Sequence, residues 1–329
     1  MFKILYMCLL IFPIYFICNR QDSDIVKIFD RNHTDAIRGI AILLVILGHC
    51  GGEFGIRFLN PFGSCGVVLF LIVSGYGMYK SYELKGLKHF WVKKFLHILL
   101  PYIIIQSLFL YFFEGGGKNL SARTVISDFL LITPLHPYGW YLRYLFVCYI
   151  IFYIVFKLKF SNKIKGIATT ITCALISSYM GYLEQIAMFA FSLGVLFAIY
   201  KKEDYEKKKL KFVMSVSLLT GVALLGIKQF EMIRNANKIL FISIEIIEIY
   251  ALSLFVIVFI YLFYKFFRGA KTISVISYEL YLVHAYTIVL LKNPNYINIV
   301  IFIMGTASIS FVFHKLNKWL EIKGGFLMG

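Results

Sequence analysis

Long apolar stretches alternate with short polar connectors along almost the whole chain. A helix needs about 17–25 apolar residues to cross a bilayer. By that measure the pattern predicts ten spans, near 36–52, 63–79, 96–113, 138–156, 166–182, 186–200, 211–228, 238–264, 272–291 and 297–314. The expected fold is all-α, a polytopic helical bundle in the membrane. The segment 4-ILYMCLLIFPIYFIC-18 is a further apolar run, with Lys3 before it. It resembles a signal-peptide core, but no small-x-small cleavage site follows it. The expectation is a retained extra N-terminal helix; a cleaved or interfacial segment is the alternative. Residues 1–30 are therefore read as a hydrophobic segment with its connector, and 31–329 as one membrane domain.

Composition supports this picture: 60% of the 329 residues are hydrophobic and 18% aromatic, and the mean hydropathy is +0.79. A soluble protein of this size keeps a more polar coat. The formal charge of +17 would suggest a nucleic-acid partner for a soluble chain. Here the cations gather in connectors such as 80-KSYELKGLKHFWVKK-94, 157-KLKFSNKIK-165, 201-KKEDYEKKKLK-211 and 265-KFFRGAK-271. Alternate connectors are thus basic, as the positive-inside rule requires of cytoplasmic loops, so the charge reports topology and no nucleic-acid partner is expected. The six cysteines are scattered through apolar runs without metal-ligand spacing. His89 and His97 stand eight apart with no carboxylate or thiolate pattern beside them, so no metal is expected.

Ionisable residues inside the spans carry the candidate chemistry. In 35-DAIRGIAILLVILGHC-50, Arg38 and His49 are eleven residues apart. On a helix that spacing is about three turns and about 16.5 Å of rise, which puts both on nearly the same face. A polar stripe on an apolar helix faces a protein-lined cavity rather than lipid. Taken alone, Arg38 also reads as a snorkelling interfacial cation. A second histidine, His284, falls at a similar depth in a later span, where a packing role fits equally well. Glu245 and Glu248 share a face of the span 238–264 and need partners there. Either orients a histidine or pairs within the helix bundle. Tyr281 shares the His284 face, and Ser74 with Gly75 suggests close helix packing.

Four stretches together resemble the membrane-bound acyltransferase-3 family, which includes bacterial surface-polysaccharide O-acetyltransferases. They are 35-DAIRGIAILLVILGHC-50, 66-GVVLFLIVSGYGMYK-80, 90-FWVKKFLHILLPY-102 and 277-SYELYLVHAY-286. Weaker echoes are 139-GWYLRYLFVCY-149 and 189-FAFSLG-194. In this order they cover most of residues 31–315.

The resemblance implies transfer of an acyl group, usually acetyl from acetyl-CoA, to a hydroxyl of a glycan or lipid-linked saccharide. It also implies a multi-pass protein of the bacterial cytoplasmic (inner) membrane. Arg38 and His49 match the family's essential pair, with His284 as a further catalytic candidate. Lys93 and Lys94 fall where the family often has arginines, and His97 where a third basic residue is common. Those three and Arg38 are the expected contacts to the CoA phosphates. A lysine attracts phosphate as a point charge but lacks the bidentate fork of arginine. Ser74, Tyr281, Glu245 and Glu248 are the candidate substrate contacts. A transporter or flippase for a lipid-linked saccharide is the competing reading, because it too needs a polar path through lipid.

Overall fold

The computed structural model describes residues 27–113, 120–201, 205–235, 237–292 and 295–325. Among them every regular element is helical and no strand occurs. In chain order the first helices are α1 (Arg31–Glu53), α2 (Asn60–Lys85), α3 (Phe90–Lys94), α4 (Leu100–Phe113), α5 (Ala122–Phe129), α6 (Trp140–Lys157), α7 (Asn162–Ser178) and α8 (Tyr182–Ile186). They are followed by α9 (Ala190–Tyr200), α10 (Lys207–Ile227), α11 (Glu231–Arg234), α12 (Lys238–Leu262), α13 (Tyr264–Phe267), α14 (Ala270–Ser274), α15 (Ser277–Thr287) and α16 (Tyr296–Gly325).

Eight helical stretches among the described residues are long and apolar enough to cross a membrane: Arg31–Glu53, Asn60–Lys85, Phe90–Phe112, Trp140–Lys157, Tyr182–Tyr200, Lys207–Ile227, Lys238–Leu262 and Tyr296–Leu320. The sequence pattern predicts ten. The two extra predicted spans coincide with shorter elements. One is the 17-residue α7. The other is the broken run of α14, two turn residues, α15 and a 3-10 turn over Ile288–Leu291. The predicted N-terminal helix at 4–18 lies outside the described residues.

Local chemistry sets several helix starts. Asp30 caps α1 by accepting the His33 N–H at 2.8 Å. Ser161 caps α7, and Asn237 caps α12 by accepting from the Ile239 N–H at 2.9 Å. Inside hydrocarbon no water satisfies the backbone, so helices must close their own hydrogen bonds. Their outward faces are apolar. On α7 the exposed Ile164, Ile167, Ile171 and Leu175 form one stripe at helical spacing.

Two compact units make up the fold. The first comprises the described residues of Met1–Leu84 with Cys148–Val275; the second comprises Lys85–Val147 with Ile276–Gly329. In the first unit α2 and α9 cross at touching backbones. A Cβ on Gly75 would overlap the Phe191 carbonyl oxygen, and one on Gly194 would overlap the Ile72 carbonyl oxygen. Only hydrogen fits at either position, which is the small-residue packing that membrane helices use. In the second unit α15 packs on α16 and α4.

Candidate active site

The polar stripe of α1 begins with a clamp. His33 is fully buried; its Nδ1 accepts the Phe29 N–H at 2.9 Å, so its Nε2–H donates to the Ile257 carbonyl oxygen at 3.1 Å. This ties the start of α1 to α12. One turn further, the Arg38 guanidinium donates to Asp35 Oδ1 at 2.9 Å, three residues apart. The Arg38 side chain is 42% exposed and Asp35 16%, so the pair balances charge locally and contributes little stability. His49 stands eleven residues beyond Arg38 on the same helix and is half-buried.

Two further helices contribute a polar pair to the first unit. The Ser74 hydroxyl on α2 lies 2.9 Å from the Tyr149 hydroxyl on α6, and Tyr149 is buried. Ser74 and Tyr149 thus form a pair of hydroxyls bonded to each other in the unit that carries Arg38. Such a pair can donate to a polarised carbonyl.

The second unit holds His284, which is fully buried on α15. Its Nδ1 donates to the Leu280 carbonyl oxygen at 2.9 Å, so the neutral ring carries its lone pair on Nε2. The ring stacks on Tyr138, centroid to centroid 5.4 Å. The buried Tyr281 donates its hydroxyl to the Tyr138 carbonyl oxygen. Tyr138 is held in turn by His136, whose Nδ1 accepts the Tyr138 N–H at 3.1 Å. The His136 Nε2–H then donates to the Leu282 carbonyl oxygen at 3.0 Å. Burial pushes the His136 pKa down to about 4, so the ring is neutral at ordinary pH. The segment carrying His136 is anchored by the buried Asp128, whose Oδ1 accepts from the Tyr102 hydroxyl at 2.5 Å and the Leu135 N–H at 2.7 Å.

Lys93, Lys94 and His97 sit together on the run from α3 into a π-helical turn, Phe95–Leu99. Both lysines are half-buried and His97 is exposed. The Lys94 ammonium lies 5.7 Å from the Phe90 ring centroid. The π turn widens the helix, and the Tyr278 hydroxyl donates to its Ile98 carbonyl oxygen at 2.7 Å. Such turns recur at functional sites.

Glu245 and Glu248 stand in different surroundings. Lys228 lies 3.2 Å from Glu245 Oε1 and 2.7 Å from Glu248 Oε2, and the Tyr182 hydroxyl donates to Glu245. Lys228 thus bridges the two carboxylates, and Tyr182 bonds to Glu245. Glu279 accepts from the Asn317 amide at 3.1 Å, with His314 Nδ1 at 3.3 Å. Among the described residues no group of three or more His, Cys, Asp or Glu could hold a metal ion.

Residues 32–314 match the acyltransferase domain family known as acyltransferase 3. The chain belongs to that family. No curated protein and no solved structure matches it. The acyltransferase-3 match begins one residue before the His33 clamp, and it spans Arg38, His49, the π turn and His284. Within this acyltransferase-3 chain three polar groups escape sequence reasoning. Tyr149 shows there only as the last residue of a weak echo. His136 lies in a connector, and His33 at a helix end. The partners that give each its place are remote in sequence: Ser74, Leu282 and Ile257.

Proposed function

We propose that this membrane acyltransferase moves an acetyl group from cytoplasmic acetyl-CoA to a hydroxyl of a bacterial envelope glycan or lipid-linked saccharide. The observation that carries the reading is the α1 stripe, with Arg38 held by Asp35 and His49 three turns deeper on the same helix. A CoA phosphate is an anion, and Arg38 supplies the cation at the basic-connector end of the helix. The pantetheine arm then reaches along α1 towards His49. His49 takes the proton of the acceptor hydroxyl as its oxygen attacks the thioester carbonyl. The carbon–sulfur bond breaks, and the CoA thiolate leaves with the proton returned by His49. An acyl group carried on His49 itself is the covalent variant of the same chemistry. Lys93, Lys94 and His97 are proposed as phosphate contacts in the second unit, and Tyr281 as a substrate contact beside His284. His284, stacked on Tyr138, is the alternative base.

The setting proposed is the bacterial cytoplasmic membrane, crossed ten times. The lipid-facing stripe of α7 supports a ninth crossing. The broken α14–α15 run supplies the tenth. The test is acceptor-dependent release of the CoA thiol by purified protein in vesicles. Thiol release that rises with added glycan acceptor supports transfer. Saccharide movement across the vesicle without thiol release contradicts it and favours the flippase.

A further inference from the structure

A concavity in the first unit shares none of the residues placed in the acyl-transfer chemistry. It has a volume of about 850 Å³ and lies among α9, α10, α12 and the residues that precede α1. On α12 its lining runs from Ile246 to Val258. Twelve residues of helix make about 18 Å, close to half the roughly 30 Å hydrocarbon core, which is the depth of one leaflet. Its deep part is apolar, since the Tyr250 hydroxyl already accepts the Phe189 N–H at 3.0 Å.

Its polar groups gather at one end. Lys209 lines it in the first turn of α10, beside Tyr205 and Tyr200. The short connection between α10 and α12 makes the two helices antiparallel, so Lys209 belongs at the Val258 end. Lys207, Lys208 and Lys211 surround Lys209 and are exposed, with Glu206 as the acidic neighbour at 2.7 Å. Lys163 adds an ammonium 5.7 Å from the Tyr200 ring centroid. Basic clusters at the cytoplasmic end of a span recognise anionic lipid headgroups.

We infer that this groove binds an anionic phospholipid of the cytoplasmic leaflet, its chain along α12 from Val258 towards Ile246 and its phosphate at Lys209. The chain length matches the apolar lining, and the headgroup charge matches the lysines at its mouth. The site is separate from acyl transfer, so its occupancy is measured without donor or acceptor.

The probe is phosphatidylglycerol with a diazirine in its chain, doped into phosphatidylcholine vesicles holding the full-length protein. After irradiation, labelled peptides are mapped by mass spectrometry, with diazirine-bearing phosphatidylcholine as the comparison. The expected result is label between Ile246 and Val258, several-fold stronger from phosphatidylglycerol. Lys209→Gln lowers it about fivefold, the equivalent of the ~1 kcal/mol that one surface lysine contributes to anionic-lipid binding. Ala251→Trp fills the groove and removes the label. Lys209 lies in the exposed first turn of α10, so its variant remains informative where the tryptophan variant fails to fold. Equal labelling by both lipids, or a phosphatidylglycerol preference that survives Lys209→Gln, overturns the proposal. So does label confined to peptides outside the groove.

Discussion

Removing the Lys228 ammonium should unsettle the first unit far more than removing its carboxylate partners with it. Lys228 is 11% exposed, Glu245 15% and Glu248 fully buried, with the ammonium 3.2 and 2.7 Å from the two carboxylates. At such distances the attraction is several kcal/mol even at an effective dielectric of about 20. The cost of taking three charges out of water offsets most of it. Lys228→Met leaves the buried Glu248 and the half-buried Glu245 without their shared cation, a loss of about 3–5 kcal/mol. For a domain of this size that corresponds to a fall in Tm of roughly 10 °C. The triple variant Lys228→Met, Glu245→Gln, Glu248→Gln removes the charges together, and the amide carbonyl that replaces the Glu245 carboxylate still accepts from Tyr182. It should recover all but about 1–2 kcal/mol. Thermal unfolding in detergent, followed by the fraction that stays monodisperse, measures both variants beside wild type. Acyl transfer measured on the same samples should track the surviving fold. The reasoning fails if Lys228→Met melts within about 2 °C of wild type, or if the triple variant is no better than the single one. A stable triple variant without transfer would support Glu245 and Glu248 as substrate contacts.

Gly75→Val should destabilise the α2–α9 crossing by about 1–3 kcal/mol or more, because the Phe191 carbonyl it meets is backbone and cannot turn aside. Gly77→Ala, two residues on with nothing within 4 Å of the added Cβ, should be stabilising by about 0.5–1 kcal/mol; the two melting temperatures moving the same way would refute the crossing. His136 should make stability pH-dependent. Its folded pKa of about 4 lies below the usual 6.5, so the unfolded chain binds the proton first. The stability is complete above about 6.5 and is lost as pH falls towards about 4, by about 3 kcal/mol in all. Melting curves across that window should therefore fall less steeply for His136→Gln than for wild type.

Much of this architecture is written in the chain, but unevenly. Apolar length alone locates the eight long helices, because each must hide its own backbone in lipid. The same measure overruns at 272–291, where the helix breaks after Ser274 and resumes at Ser277. The two residues at the break, Val275 and Ile276, are apolar, so hydropathy does not register it. The π turn at Phe95–Leu99 is hidden for the same reason. The α1 stripe is legible because Arg38 and His49 lie on one helix, where spacing fixes the face. Pairings between helices are not. Lys228 meets Glu245 and Glu248 across the connection between α10 and α12, and Tyr149 meets Ser74 from 75 residues away. His136 has no periodic neighbours at all, and its place depends on the Leu282 carbonyl that the tertiary fold delivers.

The most direct test of the central claim is transfer of radiolabelled acetyl from acetyl-CoA to an envelope-glycan acceptor in vesicles, wild type beside His49→Ala at equal folded content. Loss of a general base costs about 10²–10⁴ in rate. The account therefore predicts labelled glycan with wild type and a fall of that size in the variant. Full labelling with His49→Ala would contradict it and send the search for the base to His284.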